Sequence, residues 1–280
     1  MAVRAERVPA EEIRQRMLDA GRELAVEAGA ALTIEHLRLE EVIQRARVPR
    51  SSVYRLWPYK EDFIDDLLVF LAGPGSWFTG GTFDPRTFAI VQETIEGNKD
   101  RLATPEGRWA VLREATRLGA ARNYKAFSES QTWRLHMALL ATLGSTRSGE
   151  ARRKIAAALE DGQTRSRDSL VGLYSYLKAA LGLRERDPAR TVEHMVLAGG
   201  IMIQSFGLRN IQVQAASGDP VADSVNELLN MPLPGPGLDG TPTPWTLAAF
   251  SYMALMEAFL EPDPDWTPPD DAPATPENLA

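Results

Sequence analysis

Residues Val42–Lys60 read VIQRARVPRSSVYRLWPYK. Apolar spacing and chain breakers divide this stretch into the end of one helix, a turn at Val48-Pro49 and a short helix over Ser51–Trp57. The short helix must stop before Pro58, because a proline pushes the preceding residue out of the helical region. Pro49 is acceptable in a first helical turn, where its missing N–H has no intrahelical partner. From Gln44 to Lys60 every ionised side chain is positive: Arg45, Arg47, Arg50, Arg55 and Lys60. The chain as a whole carries a net charge of −7. A local cationic excess in an acidic chain calls for a polyanion, and nucleic-acid phosphate is the simplest candidate.

Around this stretch the composition sets bounds. The chain has 280 residues, 44% of them hydrophobic and 25% charged, which suits a globular protein of two domains. It has no cysteine, so disulfides, thiolate zinc sites and cysteine nucleophiles are excluded, and a cytoplasmic location is expected. The first residues, MAVRAERVPAEE, lack the apolar core of a signal peptide, and no uncharged stretch is long enough to span a bilayer. The charge is unevenly placed. No Lys or Arg follows Arg209, so the acidity belongs to the C-terminal part and leaves the field around Val42–Lys60 to its own residues.

The periodicity is helical throughout, and the predicted fold class is all-α. Ile13, Met17, Ala20 or Gly21, and Leu24 make the stripe of a first helix over Glu11–Ala28, stopped by Gly29. Ala30–Arg38 connects it to a second helix over Leu39–Ala46. After the short third helix, a fourth runs over Lys60–Ala72, with Phe63, Ile64, Leu67, Leu68 and Leu71 inward. The Gly/Pro cluster from Gly73 through Gly80-Gly81 marks a boundary, which gives an N-terminal domain over 1–72. A larger helical domain is expected over 83–260, followed by a mobile tail over 261–280 that is too polar to fold. In that larger domain one helix is expected over Asn123–Leu143 and others over Gly149–Leu181, Pro188–Ala215 and Pro244–Leu260. The Pro/Gly-rich segment Met231–Pro244 reads as irregular, and no segment reads as a strand.

The N-terminal residues resemble the DNA-binding domain of the tetracycline-repressor (TetR) family of bacterial regulators. The resemblance rests on Val42, Tyr54, Trp57 and Lys60, which reproduce the family's spacing of an apolar residue, a tyrosine twelve positions on, an aromatic three further and a lysine six after the tyrosine. It covers Ile13 to Leu71. Three positions depart from the pattern. Arg47 stands where the family usually has the turn glycine, Pro49 where it has Ser or Thr, and the loop before the second helix is longer.

The resemblance implies a helix-turn-helix whose third helix enters the major groove, in a homodimer that binds a pseudo-palindromic double-stranded operator and responds to a small molecule. Arg50 is the first candidate for a base contact, with Ser51 and Ser52 small enough to allow close approach. Tyr54 and Lys60 are placed as phosphate contacts, and Arg47 and Arg55 suit either role. For any one of these arginines a solvated surface charge is an equally good reading, but five cations in a row without an acid favour a polyanion. Val53 and Trp57 read as core.

In the larger domain, Trp109, Trp133, His136, Met137 and Tyr174 are the candidate contacts of a small-molecule effector, their aromatic and Met content suiting an apolar one, although core packing is the plainer reading for any one of them. Met195, Gly199, Met202 and Phe206 on one helix, with Trp245, Tyr252 and Met256 on the last, are the candidate dimer interface; packing within the chain is the alternative. No metal-ligand spacing, nucleophile elbow or phosphate-binding glycine loop is present, so neither an enzyme nor a cofactor is expected. The departures in the turn motivate one rival, a helical protein-interaction module on the same fold with DNA binding lost.

Overall fold

The computed structural model describes residues 9–27, 37–73, 85–143 and 149–267. Within them lie eleven α-helices: α1 Ala10–Glu27, α2 Leu39–Ala46, α3 Arg50–Leu56, α4 Lys60–Ala72, α5 Pro85–Glu96, α6 Pro105–Glu129, α7 Gln131–Thr142, α8 Gly149–Leu181, α9 Val192–Ala215, α10 Pro220–Asn230 and α11 Leu247–Phe259. Four short strands join them: β1 Leu183–Glu185, β2 Leu233–Pro236, β3 Pro242–Trp245 and β4 Leu260–Pro262. The protein is mostly helical, as its periodicity predicts. No helix among the described residues is long and apolar enough to cross a membrane.

The chain forms two compact units, Met1–Gly81 with Ser130–Thr164, and Thr82–Glu129 with Arg165–Ala280. In the first unit α1 packs against α2, α3 and α4. Its stripe of Ile13, Met17, Ala20 and Leu24 is buried, together with Val42, Val53, Phe63 and Leu67. Gly21 lets α1 close on α4, since a Cβ there would stand 2.9 Å from Leu67 Cδ1. Leu139 of α7 and Ile155 and Leu159 of α8 belong to the same apolar core. The division of the chain therefore differs from the single cut between 72 and 83 read from the Gly/Pro cluster, because apolar side chains far along the chain complete the N-terminal core. Gly29, the connection over 30–36, the cluster over 74–81 and the last residues, 268–280, lie outside the described residues.

In the second unit α6 packs against α5, α9 and α11. The expected helix over Asn123–Leu143 is two helices, broken at Ser130, whose hydroxyl accepts from Trp133 N at 3.2 Å and caps α7. Tyr124 is therefore on α6, whereas Trp133, Met137 and Leu139 are on α7. α10 is an element that periodicity missed; Asp219 caps it by accepting from Val221 N and Ala222 N.

The absence of strands is also corrected. β1 and β4 pair antiparallel, with Arg184 opposite Glu261. β2 and β3 form a hairpin inside the segment expected to be irregular. Its prolines face one another, Pro234 opposite Pro244 and Pro236 opposite Pro242. This leaves the ladder donors to Leu233, Gly235, Thr243 and Trp245, an arrangement open to a two-stranded ribbon whose outer edges need no partner. A Cβ on Gly235 would lie 2.6 Å from the buried Trp245 ring.

The tail does not begin at 261 as a loose segment. Asp263 N donates to Gly182 O at 2.8 Å, and Trp266 Nε1 donates to Ala179 O at 3.2 Å. The buried Arg108 guanidinium stands 4.9 Å from the Trp266 ring centroid and donates to Asp263 O. One indole in a polar segment is enough to anchor it.

Candidate nucleic-acid interface

The short α3 is sorted by side. Val53 is 0% and Trp57 3% exposed. Trp57 meets the Phe63 ring edge-on at 5.2 Å, and its Nε1 donates to Asp66 Oδ2 at 2.7 Å. Arg14 of α1 pairs with the same carboxylate. Both residues read as core are thus the anchor that fastens α3 to α1 and α4. On the other side Arg50, Ser51, Tyr54 and Arg55 are exposed, and Ser52 and Lys60 are half-buried.

The turn departs from expectation in a definite way. Pro49 is the extended N-cap of α3, the capping position at which the family pattern has Ser or Thr, rather than a first-turn residue, and its carbonyl accepts from Ser52 N and Val53 N. Arg47 closes α2 with φ 52 and ψ 45, in the left-handed region, the one non-glycine residue with positive φ among the described residues. The conformation that glycine serves in the family pattern is kept here by a residue with a Cβ.

The positive run of the sequence is interrupted in space. Glu40, in the first turn of α2, accepts from Arg50 Nη2 at 2.7 Å and from the Tyr54 hydroxyl at 3.0 Å, both on Oε1. The Arg50 guanidinium also lies 5.8 Å from the Tyr54 ring centroid. A backbone hydrogen bond of its own, then the Tyr54 hydroxyl and Arg50, hold the Glu40 carboxyl below the usual carboxylate range. Arg45 pairs with Glu27 of α1. Among the described residues no carboxylate pairs with Arg47 or Arg55. Arg45 and Arg50 are therefore already engaged by acids. The sequence signal for Glu40 is its place two residues before Val42, in the first turn of the helix that precedes α3.

Compared with models of protein families, with curated proteins and with solved structures, the chain matches none.

The remaining candidates are brought together only in part. Trp133, His136 and Met137 stand on α7 in the first unit, whereas Trp109 and Tyr174 belong to the second. Trp133 and His136 are buried, and burial lowers the His136 pKa to about 4. His136 Nε2 lies 3.5 Å from Gln163 Nε2. Tyr174 is buried and donates its hydroxyl to that of Tyr252, with the two rings stacked at 6.2 Å.

Of the interface candidates, Met195, Gly199, Trp245, Tyr252 and Met256 are buried within the second unit. Met202 and Phe206 are half-buried, and the Phe206 ring meets Tyr124 of α6. Within the unit these residues lie at the seam between α9, α11 and α6, the packing within the chain that stood as the alternative. Gly199 serves that seam, since a Cβ there would come within 2.7 Å of the Tyr252 ring, while the neighbouring Gly200 faces open space. The apolar residues α9 leaves exposed are Leu197, Ile201 and Leu208, on the opposite side.

Proposed function

We propose that this chain is a DNA-binding transcriptional regulator of the tetracycline-repressor type, acting as a homodimer on a pseudo-palindromic operator in response to a small molecule. The observation that carries this reading is the sorting of α3. Its apolar residues anchor it to the core while Arg50, Ser51, Tyr54 and Arg55 stand together in solvent, as a helix that enters a major groove requires. Arg47, unpaired among the described residues at the turn, adds a cation on the approach to that helix. Arg50 is assigned to a base edge, and Tyr54 and Lys60 to phosphates.

Dimerisation is assigned to the outer side of α9. Leu197, Ile201 and Leu208 are four and then seven residues apart, which places them on one side of the helix, and none is needed by the core of its own unit. The effector reading is supported by the buried Tyr174–Tyr252 pair and by the buried His136 beside the half-buried Gln163. A thermal-shift screen of small apolar compounds, followed by DNA release, tests it; a compound that stabilises the protein without changing its DNA affinity counts against a regulatory role.

The rival, a helical interaction module that no longer binds DNA, is favoured by one observation, the engagement of Arg50 and Tyr54 by Glu40. Selection of bound sequences from a random duplex pool separates the two. A regulator enriches one sequence with two inverted half-sites, and an interaction module enriches none. Arg50→Ala is then expected to relax base preference at one position of each half-site, and a uniform loss across sequences would assign Arg50 to phosphate instead.

A further inference from the structure

One carboxylate oxygen holds two side chains of the candidate interface, one assigned to a base edge and one to phosphate. Glu40 Oε1 accepts from Arg50 and from Tyr54, and the Arg50 guanidinium lies over the Tyr54 ring side. All three side chains are solvent-exposed, so nothing in the core requires this arrangement. Arg50 and Tyr54 are one helical turn apart on α3, and Glu40 reaches them from another helix. Duplex DNA docked on α3 would bring a dense row of phosphates up to this carboxylate, and like charges at such range repel.

We propose that Glu40 is a specificity-determining residue: an internal anion that Arg50 and Tyr54 exchange for DNA, and that lowers affinity for duplexes offering phosphate alone. In a random register the two side chains trade one anion for another, and Glu40 is left facing the backbone with no donor. In the operator register Arg50 gains two acceptors on one guanine, which a single carboxylate oxygen does not match. The released Glu40 can then accept from a cytosine amino group or turn to solvent. Glu40 thus penalises every register and is compensated in one. An exposed pair of this strength shifts an equilibrium by up to about fivefold per subunit, small for one site but decisive where random sites outnumber the operator.

This inference rests on the DNA-binding reading above. The test compares the full-length wild type with Glu40→Gln and Glu40→Ala on two probes, a random-sequence duplex and the duplex enriched from the random pool, across a salt series. Gln keeps the acceptor oxygen for Arg50 and Tyr54 and removes only the charge. Glu40→Gln is expected to bind the random duplex about threefold to fivefold more tightly per subunit. Its dependence of log K on log salt should steepen by about one unit per subunit, and the ratio of specific to random affinity should fall. A residue that merely shapes the protein would weaken both probes together in Glu40→Ala, recover in Glu40→Gln and leave the ratio alone, and that result overturns the proposal. A wild type that binds both probes, with a Gln variant unchanged in ratio and salt slope, overturns it as well while leaving the regulator reading in place. A wild type that binds neither probe removes the regulator reading, and the role of Glu40 with it.

Discussion

At the scale of single residues, Arg47 and His136 each hold a state that a free residue would avoid. Arg47 sits at φ 52, where a side chain with a Cβ costs about 1–2 kcal/mol relative to right-handed conformations. Glycine removes that cost and returns part of it, about 0.5–1 kcal/mol, as entropy of the unfolded chain. Arg47→Gly should therefore stabilise the protein by about 0.5–1 kcal/mol in denaturant unfolding; a loss of stability would mean that the guanidinium makes a contact worth more than the strain. His136 is held neutral by burial, its pKa lowered from 6.5 to about 4. The unfolded chain therefore takes up a proton on this residue at a pH where the folded chain does not. The stability it favours is complete above pH 6.5 and declines as pH falls toward about 4. The decline at pH 4 is on the order of 3 kcal/mol by linkage. Replacing His136 with Gln should flatten the stability profile in that window relative to the wild type, and an unchanged slope would assign the loss to other groups.

At the scale of elements, α9 tests whether a helix side serves the core or a partner. Gly199 and Gly200 are adjacent in the chain and opposite in environment. Gly199→Ala forces the Tyr252 ring, 2.7 Å from the new Cβ, to move, and the ring is tied by hydrogen bond to Tyr174. Overpacking of this kind costs about 1–3 kcal/mol. Gly200→Ala meets nothing within 4 Å and should raise stability by about 0.5–1 kcal/mol through helix propensity. Thermal unfolding of the two variants should move in opposite directions. Equal destabilisation would show that Gly200 is covered by a second copy at the working concentration.

For the whole molecule, the question is which surface joins two copies. Ile201 is 59% exposed in the chain, so Ile201→Lys removes no core contact and should leave unfolding of the monomer unchanged. If α9 joins two copies through this side, the same variant sediments as a monomer and loses affinity for a two-half-site operator while keeping its affinity for a half-site. A dimer of undiminished mass would place the interface elsewhere, with the exposed Val221 and Leu228 of α10 next in line.

Local signals settled much of the chain. α2, α4 and α8 have the bounds that apolar spacing and breakers predict, because a helix with one buried stripe and a clear stop is specified within a few turns. The pattern of the short third helix likewise named Val53 and Trp57 as core, and Arg50, Ser51, Tyr54 and Arg55 as surface. Tertiary structure decided what no window contains. The core of the first unit is completed by Leu139, Ile155 and Leu159, far along the chain, and the stripe on α9 that periodicity marks as apolar is spent on Tyr252 and α6. β2 and β3 are stabilised by burial of Trp245 rather than by any strand propensity, in a segment where proline argues against a sheet. The charge of Val42–Lys60 shows the same division. Its sign is a property of the sequence, but which of its cations remain unpaired depends on Glu40 and Glu27, carried to them by the packing of α1, α2 and α3.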